Sequence, residues 1–412
     1  MDITTIFFII GVIIVIGFLG GLFFQKTSIP DVLVLLTIGV IIGPVLNIIG
    51  AADISHFAEY FGSFALMIIL FEGGMETEIK RLVKGLGTAT VLVVSSFVLS
   101  ACSIGAYLHL GLRWEIPQSL LLGIILACTS AAIVMPLVQK LPISHGVKTI
   151  LSVESALGDV LAVVLVVTVL DYMVFHNIGI QAPFRTLASS FSIAILCGAA
   201  AGCFWLKALD SLKKKQYFYM ATLAILFLLH AAVDFLGGSG PIAVLVFGIV
   251  LGNNNEFGRF LKLKKDGWVG ETIKFFHGEV SFFIRTFFFV YMGMIISFKS
   301  VSAEFLLIVA ALTGIIAAAR FISVRITGFL SPETRKNSSF IFFMLPRGLA
   351  SAVLATSPMA LNIRGCDQFV NYTFGVIVLS NLLMTAGAIY HGRKRTFETP
   401  VEEVENGSSP AI

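Results

Sequence analysis

The stretch VESALGDVLAVV, residues 153 to 164, places two carboxylates, Glu154 and Asp159, inside a long apolar run. Burying an unpaired charge in the middle of a membrane costs about 3 kcal/mol on insertion scales. Ionisable residues in such runs are therefore candidates for function. The rest of the sequence decides whether this run spans a membrane and what its two acids do there.

The composition indicates an all-α polytopic membrane protein. Of the 412 residues, 57% are hydrophobic and only 13% are charged, and the mean hydropathy is +0.96. Soluble domains carry about 25% charged residues, and a membrane-spanning helix needs about 17 to 25 apolar residues. We therefore predict 13 transmembrane helices, over residues 4–24, 30–50, 57–74, 86–111, 117–140, 147–174, 186–208, 217–236, 239–252, 276–297, 303–328, 338–358 and 369–390.

The basic residues predict the orientation. If the N-terminus lies outside, twenty-one of the 28 Lys and Arg residues fall on one face of the membrane, four on the other and three within the spans. The positive-inside rule then puts the C-terminus in the cytoplasm. We expect residues 1–395 to form a transmembrane domain in the cell inner (plasma) membrane and the polar, acidic tail 396–412 to be disordered. We expect membrane lipid as a partner, but no nucleic acid.

The sixth span indicates two different roles for its acids. Ser155 and Asp159 are four residues apart and share one face of a helix, and Gly158 leaves room beside Asp159 for a backbone or an ion. Glu154 lies on an adjacent face, where it can pair with an arginine. The alternative for Asp159 is a structural acid held by a buried arginine.

Two further spans are predicted to be interrupted. LLGIILACTSAAIVMPLV, residues 121–138, carries the hydroxyls of Thr129 and Ser130, and SFIFFMLPRGLASAVLATSP, residues 339–358, carries Pro-Arg-Gly at 346–348. Proline and glycine break helices and free carbonyl groups. Non-helical backbone at this depth is tolerated only inside protein or beside a water-filled cavity. Interruptions at comparable places in the two halves indicate an inverted-repeat transporter.

Arg347, next to Pro346, is expected to have an electrostatic role. Arginine cannot deprotonate in proteins, so Arg347 suits a fixed charge that offsets the dipoles of the broken helices and pairs with Glu154. The proton-carrying role is then expected to fall to Asp159.

Six stretches resemble motifs of the monovalent cation/proton antiporter superfamily, and are most similar to those of the prokaryotic sodium/proton exchangers. They follow the order of that family and cover nearly the whole membrane part. They are LTIGVIIGP (36–44), LFEGG (70–74), ESALGD (154–159), GSGPIAVLVFGIVLGN (238–253), FIRTFFFVYMGM (283–294) and LPRGLASAVLA (345–355).

The resemblance implies a homodimer with a dimerisation domain and a mobile core, placed at about 57–174 and 276–358. In that core two interrupted helices cross. By the same resemblance, Asp159 binds Na⁺ or K⁺ and a proton in turn, and Thr129 and Ser130 occupy the family's Thr-Asp position. The buried Glu and Arg of the family correspond to Glu154 and Arg347, with Arg320 as a further partner of Glu154.

Two positions depart from the family pattern. Electroneutral members usually carry Asn just before the key Asp, and electrogenic members carry Asp, whereas this chain has Gly158. Many members have Asp where this chain has Ser130. Stoichiometry and the choice between Na⁺ and K⁺ are therefore open.

The expected function is secondary active antiport of Na⁺ or Li⁺ for H⁺ by alternating access, without a cofactor. Hydroxyls of Thr129, Ser130 and Ser155 would supply oxygen ligands beside Asp159, and a single carboxylate predicts electroneutral exchange. K⁺/H⁺ exchange by the same residues is the nearest alternative, and a channel-like or sensory membrane protein is a second. No nucleophile–base pair stands out, so we do not expect an enzyme.

Overall fold

The computed structural model describes residues 3–27, 29–46, 51–77, 79, 87–140, 143–174, 181–212, 218–260, 268–295, 302–361 and 363–396, and these residues form helices joined by turns. In chain order the helices are α1 (Ile3–Thr27), α2 (Asp31–Val40, continued by a π-helical turn Ile41–Val45), α3 (Ala51–Glu76), α4 (Thr88–Ala106, continued by a π-helical turn Tyr107–Gly111), α5 (Ile116–Ile125), α6 (Ala131–Lys140), α7 (His145–Val174), α8 (Gln181–Leu212), α9 (Phe218–Phe235), α10 (Gly240–Gly252), α11 (Asn254–Phe260), α12 (Trp268–Ile295), α13 (Ala303–Leu330), α14 (Pro332–Lys336), α15 (Ser338–Phe343), α16 (Leu349–Ala360) and α17 (Phe369–Thr396).

The predicted all-α membrane fold is confirmed. Seven of the described helices are long and apolar enough to span a bilayer, and shorter apolar helices of 10 to 17 residues accompany them. Each predicted segment coincides with one helix or with a pair, but the total of 13 spans stays a prediction. The predicted tail beyond Thr396 and the segment ends 47–50 and 296–297 lie outside the described residues.

Both predicted interruptions are present. Residues 126–130 separate α5 from α6, and residues 344–348 separate α15 from α16. Pro136 lies inside α6, so the first interruption is not at a proline, whereas Pro346 lies within the second. The helices α4, α7, α13 and α17 pack against those on either side of the breaks, and α3 packs on α16.

The division into a mobile core and a dimerisation domain stays a prediction. The expected core ranges, 57–174 and 276–358, leave out α17, although α17 packs against α13, α15 and α16. They also take in most of α3, whose largest contact is with α10, and most of α12, which packs mainly on α2.

Glycines let two pairs of helices approach at the level of their backbones. A side chain on Gly39 or Gly43 of α2 would overlap the backbone of α12 at residues 290–294, where Gly293 faces α2 in return. A side chain on Gly74 of α3 would overlap the backbone of α10, whose Gly248 and Gly252 face α3. Small residues four apart are a common basis of close helix packing in membranes. The predicted inverted repeat stays a prediction.

We expect Gly74→Ala to destabilise the protein by about 1–3 kcal/mol, because the new methyl group meets the Leu245 carbonyl and no side chain can yield. Gly73→Ala is the matched control in the same helix. Nothing lies within 4 Å of a Cβ at Gly73, so that change should stabilise α3 by about 0.5–1 kcal/mol. Thermal unfolding of the purified variants in detergent measures both, and equal melting temperatures would contradict the packing argument.

Candidate functional site

The two helix breaks are in direct contact. The backbone N–H of Ser130 donates a hydrogen bond of 2.9 Å to the carbonyl of Pro346. Gly348 lies so close to the Ser130 hydroxyl that a Cβ there would overlap it. The interrupted helices therefore meet at their breaks, as predicted for a crossing pair, and the backbone of one break satisfies part of the other.

Arg347 satisfies carbonyls that the breaks leave free. Its side chain donates to the carbonyls of Leu126 (2.7 Å), Ala127 (3.3 Å) and Leu345 (2.9 Å), and the residue is only 2% exposed. Carbonyls at helix C-termini carry partial negative charge and lack helical partners. The guanidinium thus replaces the water that the membrane excludes, which agrees with the electrostatic role predicted for Arg347.

Two polar residues of α17 complete the second break, and the sequence reasoning did not identify them. The Arg347 N–H donates to the Ser380 hydroxyl at 3.1 Å, and the Asn381 amide donates to the Arg347 carbonyl at 2.8 Å. Both side chains are fully buried. Their adjacency in an otherwise apolar span was the available signal, because buried polar groups in a membrane require partners.

Glu154 pairs with Arg320, and the predicted pairing with Arg347 is wrong. The two residues form a bidentate ion pair in which Arg320 Nη2 lies 2.9 Å from Glu154 Oε2 and Nη1 contacts Oε1. Thr129 also donates to Glu154 Oε1, at 3.0 Å. Arg320 makes one more bond, to the carbonyl of Ile341 at 3.1 Å. This carboxylate is therefore neutralised within the protein.

Asp159 has only one of its oxygens engaged. Oδ2 accepts a hydrogen bond of 3.3 Å from the backbone N–H of Ala131, the first residue of α6. Oδ1 is buried and has no hydrogen-bond partner among the described residues. The carboxylate thus lies at the positive end of a half-helix, with one oxygen free to bind a proton or a cation.

The predicted hydroxyl ligands lie in three different environments. Ser130 directly precedes Ala131 and contacts Gly348, while Thr129 donates its proton to Glu154. Ser155 donates to the Leu151 carbonyl at 2.9 Å within α7. Each of these oxygens keeps lone pairs, so each can still accept a cation, but none of the three donates to Asp159.

Gly158 is buried and faces the first break at van der Waals distance. A Cβ at this position would lie 3.7 Å from the Cys128 side chain and 3.7 Å from the Thr129 nitrogen, which are ordinary contact distances. The glycine is therefore not demanded by packing. An alanine side chain would fit at this position, and the predicted role of Gly158 in leaving room for an ion stays a prediction.

The arrangement suits one monovalent ion at a time. Among the described residues, no three His, Cys, Asp or Glu side chains lie close enough to form a metal cage. Divalent cations usually require several charged oxygen ligands, whereas a single carboxylate can be neutralised by one proton or one alkali cation. A carboxylate in this arrangement can therefore be neutralised by either of those two partners.

Comparison with known proteins gives consistent matches. The family model described as sodium/hydrogen exchanger, transmembrane, matches residues 7–388. The K(+)/H(+) antiporter NhaP2 of Shewanella oneidensis is 27% identical over 406 residues, covering 96% of this chain and 68% of that protein. Na(+)/H(+) antiporter 1 of Methanocaldococcus jannaschii is 26% identical over 368 residues, covering 87% of this chain and 84% of that protein.

A solved structure shares the fold. The sodium proton antiporter MjNhaP1 from Methanocaldococcus jannaschii at pH 8 aligns with a TM-score of 0.74 at 23% identity, covering 96% of this chain and 98% of that one. Sequence and fold comparisons therefore cover almost the same extent of the chain.

We expect Glu154→Gln to lower the free energy of unfolding by about 3–5 kcal/mol, because it leaves the Arg320 charge buried without its partner. The double variant Glu154→Gln with Arg320→Met should recover much of the lost stability, since it removes both charges together. Thermal unfolding of the single and double variants tests the pairing. If the double variant is no more stable than Glu154→Gln alone, the two side chains do not depend on each other.

Proposed function

The chain belongs to the sodium/hydrogen exchanger family, and we propose that Asp159 carries a monovalent cation in one direction and a proton in the other. Antiport of monovalent cations against protons is the activity that the family and the named relatives support. The observation that carries the assignment to Asp159 is its position: a carboxylate at the start of α6 whose Oδ1 has no protein partner among the described residues.

Competition at one carboxylate is sufficient to couple the two ion fluxes. An unpaired charge is costly to move through a low-dielectric interior. The part of the protein that carries the site can therefore move across the membrane at low free-energy cost only after a proton or a cation has neutralised Asp159. Because both occupants neutralise the same group, each excludes the other, and the return step needs the alternative ion.

The other buried charges keep the geometry of the site fixed while one ion replaces the other. Glu154 and Arg320 neutralise each other and stay out of the exchange. Arg347 holds carbonyls of both breaks. In the proposed mechanism, Thr129, Ser130, Ser155 and water complete the coordination of the cation with oxygen atoms, which are the ligands that hard cations prefer.

We further propose how the molecule moves and assembles. The helices that surround the breaks, α4–α7, α13 and α15–α17, move together as the core against α1–α3, α8–α10 and α12. The latter helices form the dimerisation domain of a homodimer in the lipid of the cell membrane. The Lys and Arg distribution supports a cytoplasmic C-terminus. The transport cycle involves no covalent chemistry, so the protein is not an enzyme.

Na⁺ is the primary candidate for the transported cation, and K⁺ is the second. Named relatives of both kinds match this chain. Glycine at position 158 and a hydroxyl in place of a carboxylate at Ser130 leave fewer anionic ligands, which favours a larger and more weakly hydrated ion and so supports K⁺. The site leaves both candidates open, and the same transport assay separates them.

We expect Asp159→Asn to abolish ΔpH-driven exchange in proteoliposomes with Na⁺, Li⁺ or K⁺, because the amide is already neutral and carries no exchangeable proton. The control Asp367→Asn removes the same charge from an exposed position in the turn before α17 and should exchange at the wild-type rate. Dequenching of an internal pH dye, with each cation added in turn, gives both the rates and the ion preference. Exchange in Asp159→Asn would refute the assignment.

We expect wild-type exchange to be independent of membrane potential, because one carboxylate trades one positive charge for another. Gly158→Asp should introduce voltage dependence, since a second carboxylate beside Asp159 can carry a second proton. Gly158→Ala is the matched control, because it adds the same Cβ without a charge and should leave exchange insensitive to voltage. Initial rates at zero and at an imposed potential, set with an ion that the protein does not transport, make the comparison. A voltage-dependent wild type would contradict a one-for-one exchange.

A further inference from the structure

A cavity of about 650 Å³ lies between the helices that hold Asp159 and those of the proposed dimerisation domain. Its walls include Val166 and Leu170 of α7 and Leu354 of α16 on one side, and Gly62 and Leu66 of α3 on the other. It lies at the C-terminal ends of α7, α9 and α16, which the distribution of basic residues assigns to the outer face. The cavity therefore occupies the seam that must open for Asp159 to reach the outside.

Two carboxylates line this cavity. Asp171 of α7 forms no hydrogen bond or ion pair with another described residue. Asp234 of α9 contacts His230 Nδ1 at 3.0 Å and accepts a hydrogen bond of 2.7 Å from the Gly240 N–H. No Lys or Arg is among the lining residues that the structure describes. The cavity therefore has negative potential, and His230 is its only described lining group that can become positive.

Ser239 gives an independent indication that a ligand enters. This residue lines the cavity, is only 6% exposed, and its hydroxyl oxygen has no hydrogen-bond partner among the described residues. Buried hydroxyls nearly always find a partner in protein or in ordered water. A polar oxygen left open in an acidic cavity fits a bound water or cation.

The geometry favours a hydrated monovalent cation as the ligand. Within the described residues, no three His, Cys, Asp or Glu side chains are close enough to hold a metal stripped of its water. A volume of 650 Å³ instead accommodates an ion with its hydration shell. Such an ion would be held by electrostatic attraction and by water-mediated hydrogen bonds, so it would dissociate readily.

The cavity and the exchange site share helix α7. Asp171 follows Asp159 by twelve residues, which corresponds to about 18 Å along the helix axis. An ion held near Asp171 is therefore outside the exchange site, displaced along α7 and about 120° around its axis from Asp159. Because charged clefts raise the local concentration of counter-ions, this position suits a waiting place for ions that approach Asp159.

We propose that this cavity is a recruitment site, in which Asp171 and Asp234 hold a hydrated monovalent cation at the outer mouth before it reaches Asp159. The proposal rests on cation exchange at Asp159. It predicts a contribution to apparent affinity on one face of the membrane only, because the cavity lies at the helix ends assigned to the outer face.

The test compares Asp171→Asn with wild type in proteoliposomes of uniform orientation, with Na⁺ and K⁺ as the ions. Asp171 is the residue to change because Asp234 also holds the start of α10. We expect the KM for the cation at the outer face to rise about twofold to thirtyfold, for a unit charge roughly 8 Å from the ion and an effective dielectric constant between about 80 and 20. Vmax should change less than twofold, and the KM at the inner face should stay the same.

Three comparisons make the result decisive. Asp171→Glu keeps the charge and should retain the wild-type KM, and Ser63→Ala changes an uncharged lining residue and should do the same. Adding choline chloride from about 0.01 to 0.15 M should shrink the difference between wild type and Asp171→Asn, because screening shortens the Debye length from about 30 to 8 Å. An unchanged outer KM in Asp171→Asn, an equal rise at both faces, or a rise insensitive to salt would each overturn the proposal. Failure of exchange itself would appear in wild type and in Ser63→Ala, and so stays distinct.

Discussion

The architecture depends on one constraint, which is that two helices are broken where water cannot satisfy the backbone. Unpaired carbonyl and amide groups at this depth are tolerated only when protein or trapped water replaces the solvent. Arg347 donates three hydrogen bonds to carbonyls of both breaks. The Ser130 N–H donates to the Pro346 carbonyl, and the Asn381 amide donates to the Arg347 carbonyl. One of the free donors at the start of α6, the Ala131 N–H, is given to Asp159. The proposed ion site is thus built in part from backbone groups that the breaks release.

The two acids of α7 show how one helix separates structure from exchange. Five residues correspond to about 500° of rotation, so Glu154 and Asp159 point about 140° apart. Glu154 faces α13 and is locked by the bidentate Arg320. Asp159 faces the first break and receives one backbone donor. A carboxylate with a permanent cation cannot alternate between ligands, and one without any partner would be too costly to bury. The weakly satisfied Asp159 lies between these extremes, as an exchangeable site requires.

The sequence was sufficient where residue type alone decides the outcome. The deep Asp159, the Thr129–Ser130 hydroxyls and the Pro346–Gly348 break follow from what these residues cost or permit inside a membrane. Arg320 was one of two predicted partners of Glu154, but the choice between Arg320 and Arg347 did not follow from the sequence, because both are equally basic and only the packing of α13 against its neighbours brings Arg320 within reach. The close approach of the helix backbones at Gly74 and Gly248 could likewise not be predicted, since a glycine pattern does not show which helix the glycines contact.

The acidic cavity adds a second electrostatic element to the same helix. An exchange site with a single weakly held carboxylate gains little binding free energy from its ligands, since strong binding of either ion would slow its release. Charge placed outside the site avoids this conflict, because it raises the local ion concentration without stabilising the bound state. Asp171 is suited to that part, as it lies near water and makes no described ion pair, while Asp234 is fixed by the start of α10. Affinity and turnover can then be adjusted by different residues of α7.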